Sequence, residues 1–99
     1  MAKFKFTNKA VNDLTDIWNY TIEIWSEKQA EKYYTLLINA CTELAQQPHI
    51  GKEYNEIHPD LKGQKTSKHI IFYRIMEDKT IEIIRILHEQ MDLKNKLIK

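Results

Sequence analysis

The sequence predicts an α+β fold of order β-α-α-β-β-β, in which a short strand precedes an α-helical hairpin and an antiparallel sheet follows. Three observations predict it. The stretch "KFKFT" at residues 3–7 alternates polar with apolar at the period of a strand. From Val11 to Ala45 the apolar residues recur three and four apart, the period of helices. The run "HIIFYRIMEDKTIEIIRILH" is rich in isoleucine on either side of a charged break, the pattern of a β-hairpin.

Phe4 and Phe6 face inward from the first strand. The first helix carries Val11, Leu14, Ile17, Trp18, Thr21, Ile22 and Trp25 as one stripe, with Thr7 or Asn8 as the N-cap that accepts from its first free amides. Ser26 opens "SEKQ", a capping-box pattern, so a second helix begins at once and the pair forms a helical hairpin. Ala30, Tyr33, Tyr34, Leu37, Cys41, Leu44 and Ala45 make its apolar stripe. "QQPHIG" ends it, because Pro48 biases Gln47 away from helical backbone and Gly51 permits a turn. Residues 52–63 read as an ordered polar loop anchored by Ile57 and Leu61, and a further strand lies around residues 61–67.

The hairpin turns at "EDKT". With Asp78 and Lys79 at its tip, Phe72 lies opposite Arg85 and Arg74 opposite Ile83. One face then carries Ile71, Tyr73, Ile75, Ile84 and Ile86, with Glu82 nearer the turn, and packs on the helices. The other carries Ile70, Phe72, Met76, Ile81, Ile83 and Leu87, with Arg74 and Arg85 diagonal to each other. Strands that are apolar on both sides are ordinarily buried on both sides, and two helices cover only one. Two covers fit the second face. The C-terminal segment "QMDLKNKLIK" can fold across it through Met91, Leu93, Leu97 and Ile98. Alternatively a partner chain lies on Ile70, Phe72, Arg74, Met76, Ile81, Ile83, Arg85 and Leu87, the arginines pairing with its acidic groups. The pattern leaves both open.

At 99 residues the chain suits one small domain, residues 1–99, and its 42% hydrophobic and 29% charged content is that of a globular protein rather than a disordered one. No apolar run reaches the length of a spanning helix, and the N-terminus has no apolar core followed by a cleavage site, so no membrane partner and a cytoplasmic location are expected. A single cysteine, Cys41, excludes an internal disulfide and a cysteine-built zinc cage. His49, His58, His69 and His88 are dispersed with no pair four apart, although His69 and His88 can face each other at the open end of the hairpin; no metal site is expected. Gly51 and Gly63 form no phosphate-binding loop, and no cofactor is expected. Ser26 is explained as a cap and Cys41 as part of a helical stripe, so neither supports a nucleophilic triad. A net charge of +1 argues against a general attraction to nucleic acid. Lys62, Lys65 and Lys68 nevertheless line the approach to the hairpin, where they either hold a phosphate backbone or protect a solvated edge strand. Trp18, Trp25, Tyr33 and Tyr34 lie on helical stripes and read as core rather than as base-stacking platforms.

The segments "LTDIWNYTIEIWSEKQAEKYYTLL", "QQPHIGKE", "IFYR" at residues 71–74 and "RILH" at residues 85–88 before Asp92 follow one another in an order and spacing that closely resembles the RelE/ParE superfamily of bacterial toxins, nearer the ParE branch. The resemblance covers essentially the whole chain. It implies a helical hairpin packed on an antiparallel sheet, and a hetero-oligomer with a small cognate antitoxin, ParD-like for this branch, whose C-terminal segment wraps the toxin. It further implies inhibition of DNA gyrase, with the enzyme trapped on cleaved DNA. The superfamily's other branch consists of ribosome-dependent messenger RNA endonucleases, which use basic groups and a C-terminal Tyr or His. Here Ile70 stands where that branch has a catalytic arginine, and the segment after His88 contains no arginine or tyrosine. An RNA-cleaving site would therefore have to be assembled from Lys62, Lys65, Arg74, Arg85 and His88, with Arg74, Arg85 and His88 as its catalytic groups.

Overall fold

A computed structural model describes residues 3–91 and residue 97. Among these residues the order is β1 (Phe4–Phe6), α1 (Asn8–Ile24), α2 (Glu27–Gln46), β2 (Lys52–Glu53), β3 (Lys62–Thr66), β4 (His69–Ile75) and β5 (Ile81–His88). The strands make one sheet in the order β1-β5-β4-β3-β2. β2 to β5 pair antiparallel, as expected, while β1 joins β5 in parallel, so the sheet is mixed. The two-residue strand β2 falls inside the segment expected to be a loop.

Both helices start where short-range chemistry dictates. Thr7 caps α1 by accepting the Ala10 N–H at 3.1 Å, and Ser26 caps α2 by accepting the Gln29 N–H at 3.1 Å. Thr21 O accepts the N–H groups of both Trp25 and Ser26, so the joint between the helices contains no spare residue. Ala10, Leu14, Leu37, Cys41, Leu44 and Ala45 bury against Ile71, Tyr73, Ile81, Ile83 and Ile86 of the sheet. Burial pushes the Cys41 thiol up to about 12, which makes it an inert core group. The helical stripes are wider than the sheet they cover. Trp25 is 72% exposed and Tyr34 43%, which corrects their reading as core.

The hairpin register differs from the expected one near the turn. Its tip has three residues, 77–79, closed by bonds from Met76 N–H to Thr80 O at 2.7 Å and from Lys79 N–H to Met76 O at 2.9 Å, with Lys79 at a φ of 71°. Arg74 therefore faces Glu82 rather than Ile83. A register shift between Phe72 and Tyr73, where Ile84 is the extra residue on β5, then restores Phe72 opposite Arg85. The extra residue exchanges the faces of the turn-proximal half of β5. Ile81 and Ile83 are fully buried in the core beneath the helices and leave the partner-facing set, while Ile84 moves to the second face.

That second face is covered by the chain itself. Ile70, Phe72, Leu87 and Leu61 form a separate buried cluster, against which Tyr54, Ile57, Ile84 and Leu97 pack. Tyr54 meets Phe72 edge to face at 5.1 Å between ring centroids. Gly63 is what allows it so close, since a Cβ there would stand 2.7 Å from Tyr54 Cε1. Of the C-terminal residues expected as cover, Leu97 packs on this cluster and Met91 is exposed; Leu93 and Ile98 lie outside the described residues. On the helical side, the buried Tyr73 donates to Pro48 O at 2.6 Å and accepts from Gly51 N–H at 3.1 Å, which ties the end of α2 to the sheet. A side chain at Gly51 would collide with the Tyr73 ring and hydroxyl. Gly51→Ala should therefore destabilise the fold by about 2 kcal/mol, read as a lower urea midpoint at unchanged slope.

Candidate functional site

Beyond the end of β1, the edge of β5 is closed by groups from α1 and its cap. Thr7 Oγ1 donates to Ile84 O at 2.7 Å. Further along α1, Asp13 Oδ2 accepts from Arg85 Nε at 2.8 Å and Oδ1 from Arg85 Nη2 at 2.9 Å, while Oδ2 also accepts the Ile86 N–H at 3.0 Å. The Arg85 and Asp13 side chains retain only 17% and 12% of their exposure. Hydrogen bonding to Asp13 raises the guanidinium pKa. Arg85 thus serves the bulge, and its expected place diagonal to Arg74 on a partner face is corrected: it reaches sideways to α1, whereas Arg74 holds Glu82 at 2.8 Å with half of its side chain in solvent.

At the open end of the hairpin, His69 and His88 are cross-strand partners with ring centroids 5.3 Å apart. Tyr33 of α2 lies 2.6 Å from His69 Nδ1, and His88 Nδ1 accepts the Gln90 N–H at 3.1 Å. Burial first, and the neighbouring His88 second, lower the His69 pKa to about 4, with Asp13 and Glu89 pulling the other way. The Tyr33 hydroxyl and His69 Nδ1 share a hydrogen bond. Glu89 is meanwhile held by Lys65 at 2.8 Å.

The lysines expected as a possible nucleic-acid contact do not converge. Lys62 pairs across the sheet with Tyr73 on the helical side, and its ammonium lies 3.8 Å from Glu53. Lys65 pairs with Ile70 on the opposite side, and Lys68 lies in the turn between β3 and β4. The residues of the RNA-cleaving alternative are also scattered. Arg74 sits opposite Glu82 and His88 six residues further along β5, about 20 Å at strand rise, with Arg85 tied to Asp13 between them. Among the described residues no group of His, Cys, Asp and Glu could hold a metal ion.

What the second face does offer is a cleft of about 270 Å³ lined by Thr7, His58, Pro59, Leu61, Arg74, Glu82, Ile84 and Leu97. Ile70, Phe72 and Leu87 lie in the buried cluster of that face, and Met76 is half-buried beside the turn. Asp13, Tyr33 and Tyr54 were not singled out from the sequence as site residues. An acid on the sheet-facing side of α1 and a lone aromatic in the polar segment "KEYNEI" were the available signals.

Asp13→Ala should cost about 3 kcal/mol in denaturant unfolding, because it strands a partly buried guanidinium and an edge N–H together. His69 binds its proton less well folded than unfolded, so its contribution to stability is complete above about pH 6.5 and lost as pH falls from there towards 4. The melting temperature should drop across that window, and the drop should shrink in His69→Gln.

The model of the family described as the ParE toxin of the type II toxin-antitoxin system parDE matches residues 4–93. Toxin ParE1 of Mycobacterium tuberculosis is 32% identical over 96 residues, 97% of this chain and 98% of the relative. Toxin ParE1 of Caulobacter vibrioides is 29% identical over 92 residues, 93% and 94% of the two chains. Toxin ParE of Escherichia coli is 29% identical over 97 residues, 98% and 94%. Among solved structures, the chromosomal ParDE system of P. aeruginosa superposes with a TM-score of 0.76 at 22% identity, covering 89% of this chain and 96% of that one. The RelBE2 toxin-antitoxin complex of Mycobacterium tuberculosis superposes with a TM-score of 0.69 at 18% identity, covering 89% and 98%. These two structures bear on the fold, and the family model and ParE1 on descent: the chain belongs to the ParE toxin family of type II toxin-antitoxin systems, within the RelE/ParE superfamily.

Proposed function

We propose that this ParE-type toxin acts in the cytoplasm by binding and inhibiting DNA gyrase, and that a ParD-like antitoxin neutralises it. The observation that carries the reading is the dispersal of its basic and titratable side chains. Arg85 is bound to Asp13, Arg74 and His88 lie at opposite ends of the hairpin, and Lys62 and Lys65 emerge on opposite sides of the sheet with Lys68 in a turn. Phosphodiester cleavage needs such groups converged within hydrogen-bond reach of one phosphate. A protein that works by binding does not, and inhibition by binding is what resemblance to the ParE branch implies.

The antitoxin lies over the second sheet face and the helical hairpin. On the sheet, its apolar side chains fill the cleft beside Ile84 and Leu97, an acidic side chain pairs with the half-exposed Arg74, and Met76 forms part of the rim. Ile70, Phe72 and Leu87 support this surface from beneath. The superposed ParDE and RelBE2 structures are of toxin-antitoxin systems, which supports the same reading.

Purified toxin in molar excess should abolish supercoiling by gyrase and accumulate broken DNA, and added antitoxin should restore supercoiling. Gyrase unaffected by toxin that is folded by circular dichroism would overturn the proposal.

A further inference from the structure

The joint of the helical hairpin leaves a group of aromatic and apolar side chains in solvent. Trp25 stands with 72% of its surface in water, Ile22 with 39% and Tyr34 with 43%. Ile22 and Trp25 follow Trp18 at spacings of four and three on α1, so the three share one face, and Trp18 meets Tyr34 of α2 edge to face at 5.9 Å. The ridge thus bridges both helices. It is also rigid. The two hydrogen bonds from Trp25 and Ser26 N–H to Thr21 O, with the Ser26 cap, leave the joint no slack, so a binding partner gains the aromatic area at little cost in lost chain freedom. Rigid, solvated tryptophan and tyrosine are the residues most often found to dominate protein interfaces.

The charge around the ridge is one-sided. Glu27 and Glu31 on α2 lie on the Tyr34 side of that helix, and no ion pair holds either of them among the described residues. The nearest lysines, Lys28 and Lys32, are turned further round α2 by the helical period, away from the Tyr34 side. The sheet cleft differs in sign, since its exposed cation is Arg74.

We propose that this ridge is the surface with which the toxin engages its protein target, and that the matching site on the target is an apolar pocket edged by lysine or arginine. The inference rests on the reading of the chain as a target-binding toxin. Complementary charge steers the encounter, and insertion of Trp25 holds the complex. Because an antitoxin that extends from the sheet cleft onto the hairpin would cover the same ridge, neutralisation follows from competition for it.

Three variants test this: Trp25→Ala, the double variant Glu27→Lys with Glu31→Lys, and Leu36→Ser as an exposed apolar control on another side of α2. Each is checked for wild-type fold by circular dichroism and melting temperature, then assayed for gyrase inhibition, growth arrest on induction, antitoxin capture and self-association. Expected are at least tenfold weaker inhibition and loss of growth arrest for Trp25→Ala and for the charge-reversed variant, with Leu36→Ser at wild-type potency and the antitoxin still bound through the cleft. Folded Trp25→Ala of full potency overturns the inference. Full potency with lost antitoxin capture assigns the ridge to the antitoxin, and full potency with loss of a wild-type dimer assigns it to a second copy; either result also overturns it. Growth arrest by wild type without any effect on gyrase removes the gyrase reading alone, and dependence of that arrest on Trp25 then still supports the ridge. A wild-type chain inactive in both assays overturns both.

Discussion

The carboxylate of Asp13 binds three N–H groups of β5 at once, two from the Arg85 guanidinium and one from the backbone of Ile86. These bonds, with the Thr7 hydroxyl on Ile84 O, close the strand edge that β1 leaves open and fix the bulge at Ile84. The side on which every residue of the turn-proximal half of β5 emerges depends on that bulge. With it, Ile81 and Ile83 enter the helical core and Glu82 reaches Arg74 in solvent. Without it, a glutamate would replace two isoleucines under the helices, a loss that no local hydrogen bond offsets.

The two faces of the sheet are stabilised by different means. The helical side is a continuous aliphatic layer from Ala10 to Ala45, pinned at its end by Tyr73. On the opposite side an irregular segment supplies Tyr54, Ile57 and Leu61, and its closest approach depends on a missing side chain at Gly63. Such a cover buries apolar area with few backbone bonds to the sheet, Tyr54 N–H to Leu61 O being within the segment itself. Its local stability is accordingly lower than that of the helical layer.

Legibility in the sequence followed the range of the interaction. Thr7 and Ser26 could be named as caps because a cap is decided within three residues. Phe72 opposite Arg85 was also legible, yet for half the hairpin only, because "EDK" carries no glycine or asparagine to mark a three-residue tip. One warning lay in the pattern: a register that puts Glu82 in the core while Ile81 and Ile83 face away is poor chemistry. Asp13 meeting Arg85 spans 72 positions and leaves no periodic trace. The helical stripes were legible as apolar faces, but the amount of each that the sheet covers is set by sheet width, so Trp25 and Tyr34 read as core and proved to be surface. The family resemblance carried the identity of the fold without locating any of these side chains.

The parallel pairing of β1 with β5 places Phe6 beside Ile83, so the first strand of the chain completes its ladder only against the last. During synthesis the N-terminal strand and both helices emerge with no β5 to close the core, and Asp13 has no arginine to bind. Long-range closure of this kind is slow relative to local helix formation. The layer formed by β1, α1 and α2 consequently closes only once β5 is available to it.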